Sequence, residues 1–182
     1  MTDFPYHDHS TAPAAAKPLL EQAEKAYGML PNLLAKMAEA PALLEGYWTL
    51  TAVFGNSSLS AAEQQVVLIT TSRINECIYC VGVHSALADM QKVPNEVTDA
   101  IRDDRPIPDP RLEALRTVTR RMVEQRGWLK DTEVEEFLGA GFNREQLLEV
   151  VLGVGLKTLS NYTNHIAGTE LDEAFAGRSW QP

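Results

Sequence analysis

The chain has 182 residues, 45% of them hydrophobic and 23% charged, an ordinary composition for one globular domain. A net charge of −9 argues against a nucleic-acid partner, which requires a basic face. No apolar run reaches the roughly 18 residues that a membrane span needs. The N-terminus lacks the basic region and apolar core of a secretory signal. The expected compartment is therefore the cytoplasm, where thiols are held reduced.

Residues 1–16 read as an arm, rich in proline and alanine. His7 and His9 within it are too few to make a metal site; the arm is expected in solvent or around a neighbouring subunit. Residues 17–182 read as a single all-α domain of eight to ten helices. Leu19, Leu20, Ala23, Ala26 and Tyr27 share one face of a first helix that Gly28 ends. Pro31 and Pro41 open the second and third. Trp48 and Phe54 on the third read as core ahead of pocket lining. Ser60-Ala61-Ala62-Glu63 is a capping box. The run Val66-Val67-Leu68-Ile69 is apolar on all sides, which marks a central helix. A further helix is expected from Asn75 as N-cap to Met90, and a short one from Pro94 and Asn95. Residues 103–110 form a proline-rich, charged connector where two halves of the domain could meet. Asp109 and Pro110 start the next helix; its Arg116, Arg120 and Arg121 read as a solvated or intersubunit face. Asp131 is expected to cap a short helix. Asn143-Arg144-Glu145-Gln146 opens a long one from Leu147 to Ile166, in which Gly153 and Gly155 permit close helix packing, as between subunits. A faint echo links Glu63…His84 with Glu145…His165, suggesting a duplicated helical motif in which His165 is structural.

The two cysteines of the chain fall within four positions, in Asn75-Glu76-Cys77-Ile78-Tyr79-Cys80-Val81-Gly82-Val83-His84. On a helix Cys77, Cys80 and His84 lie within about 60° of arc, one turn separating Cys80 from His84. An imidazole so placed can take a thiol proton, and a helix N-terminus favours the thiolate that results. A second thiol at this spacing can condense with a sulfenic acid to give a disulfide. Cys80 therefore reads as the peroxide-attacking sulfur and Cys77 as the resolving one. Zinc would need four ligands, and no second cysteine pair exists. A thioredoxin-type site would need strands around the motif, and none is indicated. Two buried structural cysteines remain the plain alternative.

The stretch Leu59-Ser60-Ala61-Ala62-Glu63-Gln64-Gln65, the apolar run after it, and Arg73-Ile74-Asn75-Glu76-Cys77-Ile78-Tyr79-Cys80 with His84 resemble the alkylhydroperoxidase D-like branch of the carboxymuconolactone decarboxylase superfamily. Asn161-Tyr162-Thr163-Asn164-His165-Ile166-Ala167, followed by Leu171-Asp172, resembles its larger, peroxidase-related members. The resemblance covers roughly residues 20–175. It implies an all-helical oligomer acting as a dithiol peroxidase or disulfide reductase, with Cys80 oxidised by peroxide, Cys77 its partner and His84 in a proton relay. The relay glutamate of that family falls at Gln65, which cannot exchange a proton as a carboxylate does. Glu63 and Glu76 are nearby carboxylates that could substitute, although capping already occupies Glu63. Decarboxylation is not carried over, since true decarboxylases of the superfamily generally lack the CxxC.

The expected function is reduction of hydroperoxides through a Cys77–Cys80 cycle. The catalytic set is Cys80, Cys77, His84, Gln65 and Glu76, with no cofactor and no metal. An external dithiol resets the pair, and the assembly is a homo-oligomer (dimer, trimer or hexamer). The alternative is a ligand-binding or stress-sensing oligomer that keeps the motif without turnover.

Overall fold

The computed structural model describes residues 3–182. Among them are nine α-helices: α1 Lys17–Tyr27, α2 Asn32–Met37, α3 Pro41–Gly55, α4 Ala61–Ile74, α5 Ile78–Met90, α6 Asn95–Arg102, α7 Pro110–Glu124, α8 Asp131–Gly139 and α9 Arg144–Ala167. A 3-10 helix, Glu173–Arg178, follows, and there is no strand among the described residues. None of these helices is long and apolar enough to cross a membrane.

Capping chemistry sets most helix starts. Ser60 N donates to Glu63 Oε2 at 2.7 Å while Glu63 N donates back to Ser60 Oγ at 3.4 Å, and Asn143 and Gln146 repeat the exchange at 3.0 and 2.9 Å. Asp109 accepts from the backbone N–H groups of Arg111 and Leu112. At α8 the cap is Lys130 rather than Asp131, with the Lys130 N–H held by Glu133 Oε2 at 2.8 Å.

The ends of α4 to α7 use one device. A residue with positive φ follows each last turn: Glu76 (54°), Lys92 (60°), Asp104 (54°) and Arg126 (55°). After α4, Glu76 N donates to Arg73 O and Cys77 N to Ser72 O, both at 2.9 Å, a Schellman closure. None of the four is glycine, so each left-handed turn costs about 1 kcal/mol. This closure corrects the expected start of α5. Asn75 belongs to the end of α4 and donates its amide to Asn161 Oδ1 at 2.9 Å; the N-cap of α5 is Cys77.

Helix α4 is the axis of the molecule, with α5, α6, α7 and α9 packed around it. Its residues Gln65 to Ser72 are all buried. Each fully buried Val, Leu or Ile contributes roughly 1.5–3 kcal/mol. The hydroxyls of Thr71 and Ser72 donate back to Val67 O and Leu68 O, so the polar part of the run is satisfied inside the helix. Gly153 is required where α9 crosses: a Cβ there would lie 2.7 Å from Val67 Cγ1 and 2.9 Å from Phe54 Cε2. That close approach is within the chain, whereas Gly155 faces open space.

Two apolar clusters result. The larger joins α3 to α9 and includes residues on both sides of the 103–110 connector. The smaller gathers the arm, α1, α2, the start of α3 and both cysteines. Tyr47 packs against both. The arm lies on its own chain: His7 N donates to Ala35 O, His7 pairs with Glu39 at 2.6 Å and His9 with Glu24 at 2.9 Å. Phe54 is core, and Trp48 meets Tyr27 edge to face at 6.0 Å. The arginines expected on an outer face are paired instead: Arg116 is buried against Asp104 and Glu113, Arg120 engages Asp104, and Arg121 reaches Glu136 at 2.7 Å. Arg73 pairs with Asp104 at 3.7 Å. His165 is exposed rather than bonded within the fold.

Candidate functional site

Both cysteines are free, buried, and set at the start of α5, Cys77 at the N-cap and Cys80 one turn in. Helix α9 lies across them. The Asn164 Nδ2 group donates to Cys80 Sγ at 3.2 Å and to Cys77 Sγ at 3.6 Å, so one amide spans the pair. Ser160 Oγ is 3.7 Å from Cys80 Sγ. Lys157, on the same helix and only 1% exposed, reaches His84 Nε2 at 3.0 Å.

These contacts separate the two sulfurs. Burial pushes the Cys80 thiol up. The hydrogen bond from Cys77, the charge of Lys157 and the donors Ser160 and Lys157 outweigh it, and Cys80 is held well below the usual thiol range. Cys77 is driven up, first by its hydrogen bond to Cys80, then by burial and by the Cys80 charge. The surroundings therefore favour the thiolate on Cys80 and the thiol on Cys77. The thiolate is the nucleophilic form.

A second chain of bonds leads away. Lys157 Nζ donates to His84 Nε2 at 3.0 Å, because an ammonium has no acceptor. His84 Nδ1 then carries the proton and donates to Gln65 Oε1 at 3.1 Å, and Gln65 Nε2 donates to Gln91 Oε1 at 3.0 Å. Burial, and then the Lys157 charge, hold His84 well below the ordinary imidazole range, so it is neutral. No hydrogen bond joins His84 to either sulfur among the described residues; His84 meets Lys157 instead, whose charge acts on Cys80. A cavity of about 270 Å³ opens against His84 and Gln65, walled by Leu33, Tyr47, Phe54, Tyr79, Leu156 and Phe175 among others. It contains no charged side chain.

The structure thus brings Cys77, Cys80, His84 and Gln65 together. It does not bring Glu76, whose positive-φ turn leaves it exposed on the surface, or Glu63, which is tied to Ser60 and Arg111. Lys157, Ser160 and Asn164 are the residues that spacing around the cysteines misses. Their signal is a polar stripe on an apolar helix, Lys157-Ser160-Asn161-Asn164, at the i, i+3, i+4, i+7 positions of one face. Asp172 supports the site from the C-terminal segment, accepting from Tyr79 Oη at 2.7 Å and from Asn32 N at 2.9 Å, where it caps α2. Among the described residues no cluster of His, Cys, Asp and Glu has the make-up of a metal site.

Residues 38–121, from the end of α2 to α7, match the model of the carboxymuconolactone decarboxylase family. That stretch, a little under half of the chain, is similar to the carboxymuconolactone decarboxylase family. Solved structures extend the likeness over the whole chain. A peroxidase-related protein of Ralstonia eutropha JMP134, described as an alkylhydroperoxidase AhpD core, is 19% identical, with a TM-score of 0.85 over 98% of this chain and 97% of its own. A peroxidase-related protein of Silicibacter sp. TM1040 is 20% identical, with a TM-score of 0.80 over 97% and 94%. The debrominase Bmp8, in complex with 2,3,4-tribromopyrrole, is 16% identical, with a TM-score of 0.79 over 98% and 96%. The fold is that of the alkylhydroperoxidase D-like branch. No curated protein matches the sequence. The family match includes the CxxC, His84 and Gln65 but stops short of Lys157, Ser160 and Asn164 on α9.

Proposed function

We propose that this protein is a dithiol peroxidase that reduces organic hydroperoxides. The observation that carries the reading is the placement of the sulfurs: two free, buried cysteines one helical turn apart at the start of α5, spanned by the Asn164 amide, where the surroundings lower the Cys80 thiol and raise that of Cys77. The Cys80 thiolate attacks the outer oxygen of ROOH; the S–O bond forms as the O–O bond breaks, and the alcohol leaves with a proton. The Cys77 thiol then condenses with the sulfenic acid, releasing water and closing the disulfide. An external dithiol resets the pair by exchange. The uncharged, apolar cavity suits the carbon end of an organic hydroperoxide better than a charged substrate. A reducing compartment such as the cytoplasm is part of this reading.

The test is a free-thiol count on reduced protein before and after one equivalent of cumene hydroperoxide, with Cys80→Ser alongside. Both thiols disappear in the parent and Cys77 survives in the variant. Survival of both thiols in the parent sinks the reading.

A further inference from the structure

We propose that Lys157 is the proton carrier of the thiol cycle, charged while Cys80 is a thiolate and neutral once Cys77 and Cys80 are joined. The inference rests on the dithiol reading above and adds a residue that lies outside the family match. Lys157 is buried, and among the described residues it forms no ion pair with a carboxylate. Its hydrogen-bond partner is His84 Nε2 at 3.0 Å, its charge acts on Cys80, and Ser160 and Asn164 of the same helix touch that sulfur at 3.7 and 3.2 Å. A buried ammonium is tolerated only when paired. The Cys80 thiolate is the one anion that fills this part.

The remaining groups around it offer no substitute. From α5 come the Cys77 thiol, the neutral His84 and Tyr79; from α3 comes Tyr47, and burial keeps both phenols protonated. Helix α4 presents the uncharged Gln65. The buried charges on α2 and α7 are engaged elsewhere, Lys36 with Phe4 O and Arg116 with Asp104 and Glu113.

The cycle balances on this assignment. Cys80 S⁻, ROOH and Lys157 NH₃⁺ give Cys80 SOH, ROH and Lys157 NH₂. Cys80 SOH and Cys77 SH then give the disulfide and water. The oxidised site holds no charge, so nothing buried is left unpaired. An external dithiol returns two electrons and two protons, one to the Cys77 sulfur and one to Lys157. His84 is a positioning residue here: its Nε2 fixes the ammonium beside Cys80, and Gln65 fixes the ring.

Counting protons tests this. The Cys77–Cys80 pair is equilibrated with dithiothreitol couples between pH 6 and 7.5, and thiolate is followed by its ultraviolet absorbance. With Lys157 as carrier, the parent keeps its thiolate throughout, yet the constant of its own half-reaction, after allowing for the two protons that dithiothreitol releases, changes about 100-fold per pH unit, two protons for two electrons; that is about 60 mV, a tenfold change being about 30 mV. A tenfold change with the thiolate present means that Lys157 never gives up its proton, and overturns the proposal. Absence of thiolate in the parent overturns it as well. Lys157→Arg supplies a cation that does not deprotonate: the thiolate stays and the change falls to tenfold. A 100-fold change in that variant would place the second proton on another group, also against the proposal. Lys157→Met, which needs no room for a guanidinium, loses the thiolate at neutral pH. Failure of cumene hydroperoxide to oxidise the parent would end the peroxidase reading, but the dithiothreitol titration would still decide the role of Lys157.

Discussion

At the scale of residues, Gln65 stands where a carboxylate would act as a relay, and the structure gives it a different task. It accepts the His84 Nδ1 proton and passes a hydrogen bond on to Gln91. Gln65→Glu would put a negative charge 3.1 Å from that nitrogen. An opposite charge so close favours the imidazolium by roughly 1–3 pKa units. We expect His84 to stay neutral near pH 7 in the parent and to titrate at clearly higher pH in the variant, as followed by NMR of the ring. An unchanged titration would mean that the contact is not made in solution. The sign for stability follows. Above about pH 6.5 His84 is neutral in both folded and unfolded chains and contributes no pH dependence. Below it the unfolded chain takes up a proton that the folded one refuses, so stability falls by up to about 1.4 kcal/mol per pH unit. Gln65→Glu lessens that loss. The CxxC, His84 and Gln65 are legible in sequence because they sit on neighbouring turns of α4 and α5. Lys157 and Asn164 are not, because tertiary packing alone brings α9, some eighty positions on, against the sulfurs.

At the scale of elements, helix starts are readable and several ends are not. Ser60, Asp109 and Asn143 carry side chains that accept from the backbone, and each cap lies where its residue type indicates. The closures after α4 to α7 place Glu, Lys, Asp and Arg in a conformation that glycine normally signals, so no residue announces them. That explains the displaced start of α5 and the mistaken cap at Asn75. It also yields a test. Glu76→Gly relieves the left-handed turn and should stabilise the fold by about 1 kcal/mol, read as a higher urea midpoint. Peroxide turnover should be unchanged, since Glu76 is exposed and bonded to no residue of the site. A large loss of turnover would restore Glu76 to the catalytic set.

At the scale of the whole molecule, the all-α class follows from composition and periodicity, and the division into two clusters does not. It arises because the arm and the C-terminal segment fold back over α2 and α5, contacts that span more than a hundred positions. Outside, α9 keeps an apolar stripe in water: Leu148, Val151, Tyr162 and Ile166 are more than half exposed, Ile166 at 70%. Such a stripe on a long helix is the reason to expect self-association. Sedimentation should find the parent larger than a monomer and Leu148→Lys with Ile166→Lys monomeric with its helix content intact. A monomeric parent would remove the expectation.

The position of Cys77 has one more consequence. Cys77 and Cys80 occupy the N-cap and N3 places of α5, the pair that Ser60 and Glu63 fill in α4 and Asn143 and Gln146 fill in α9. In α5 the side chain of the cap makes no bond to the backbone. Reduced protein thus leaves the first turn of α5 without its clasp, and a disulfide would supply one covalently. The helix would then register the redox state of its own cysteines, with the amides of Tyr79 to Val81 exchanging hydrogen more slowly in oxidised protein than in reduced.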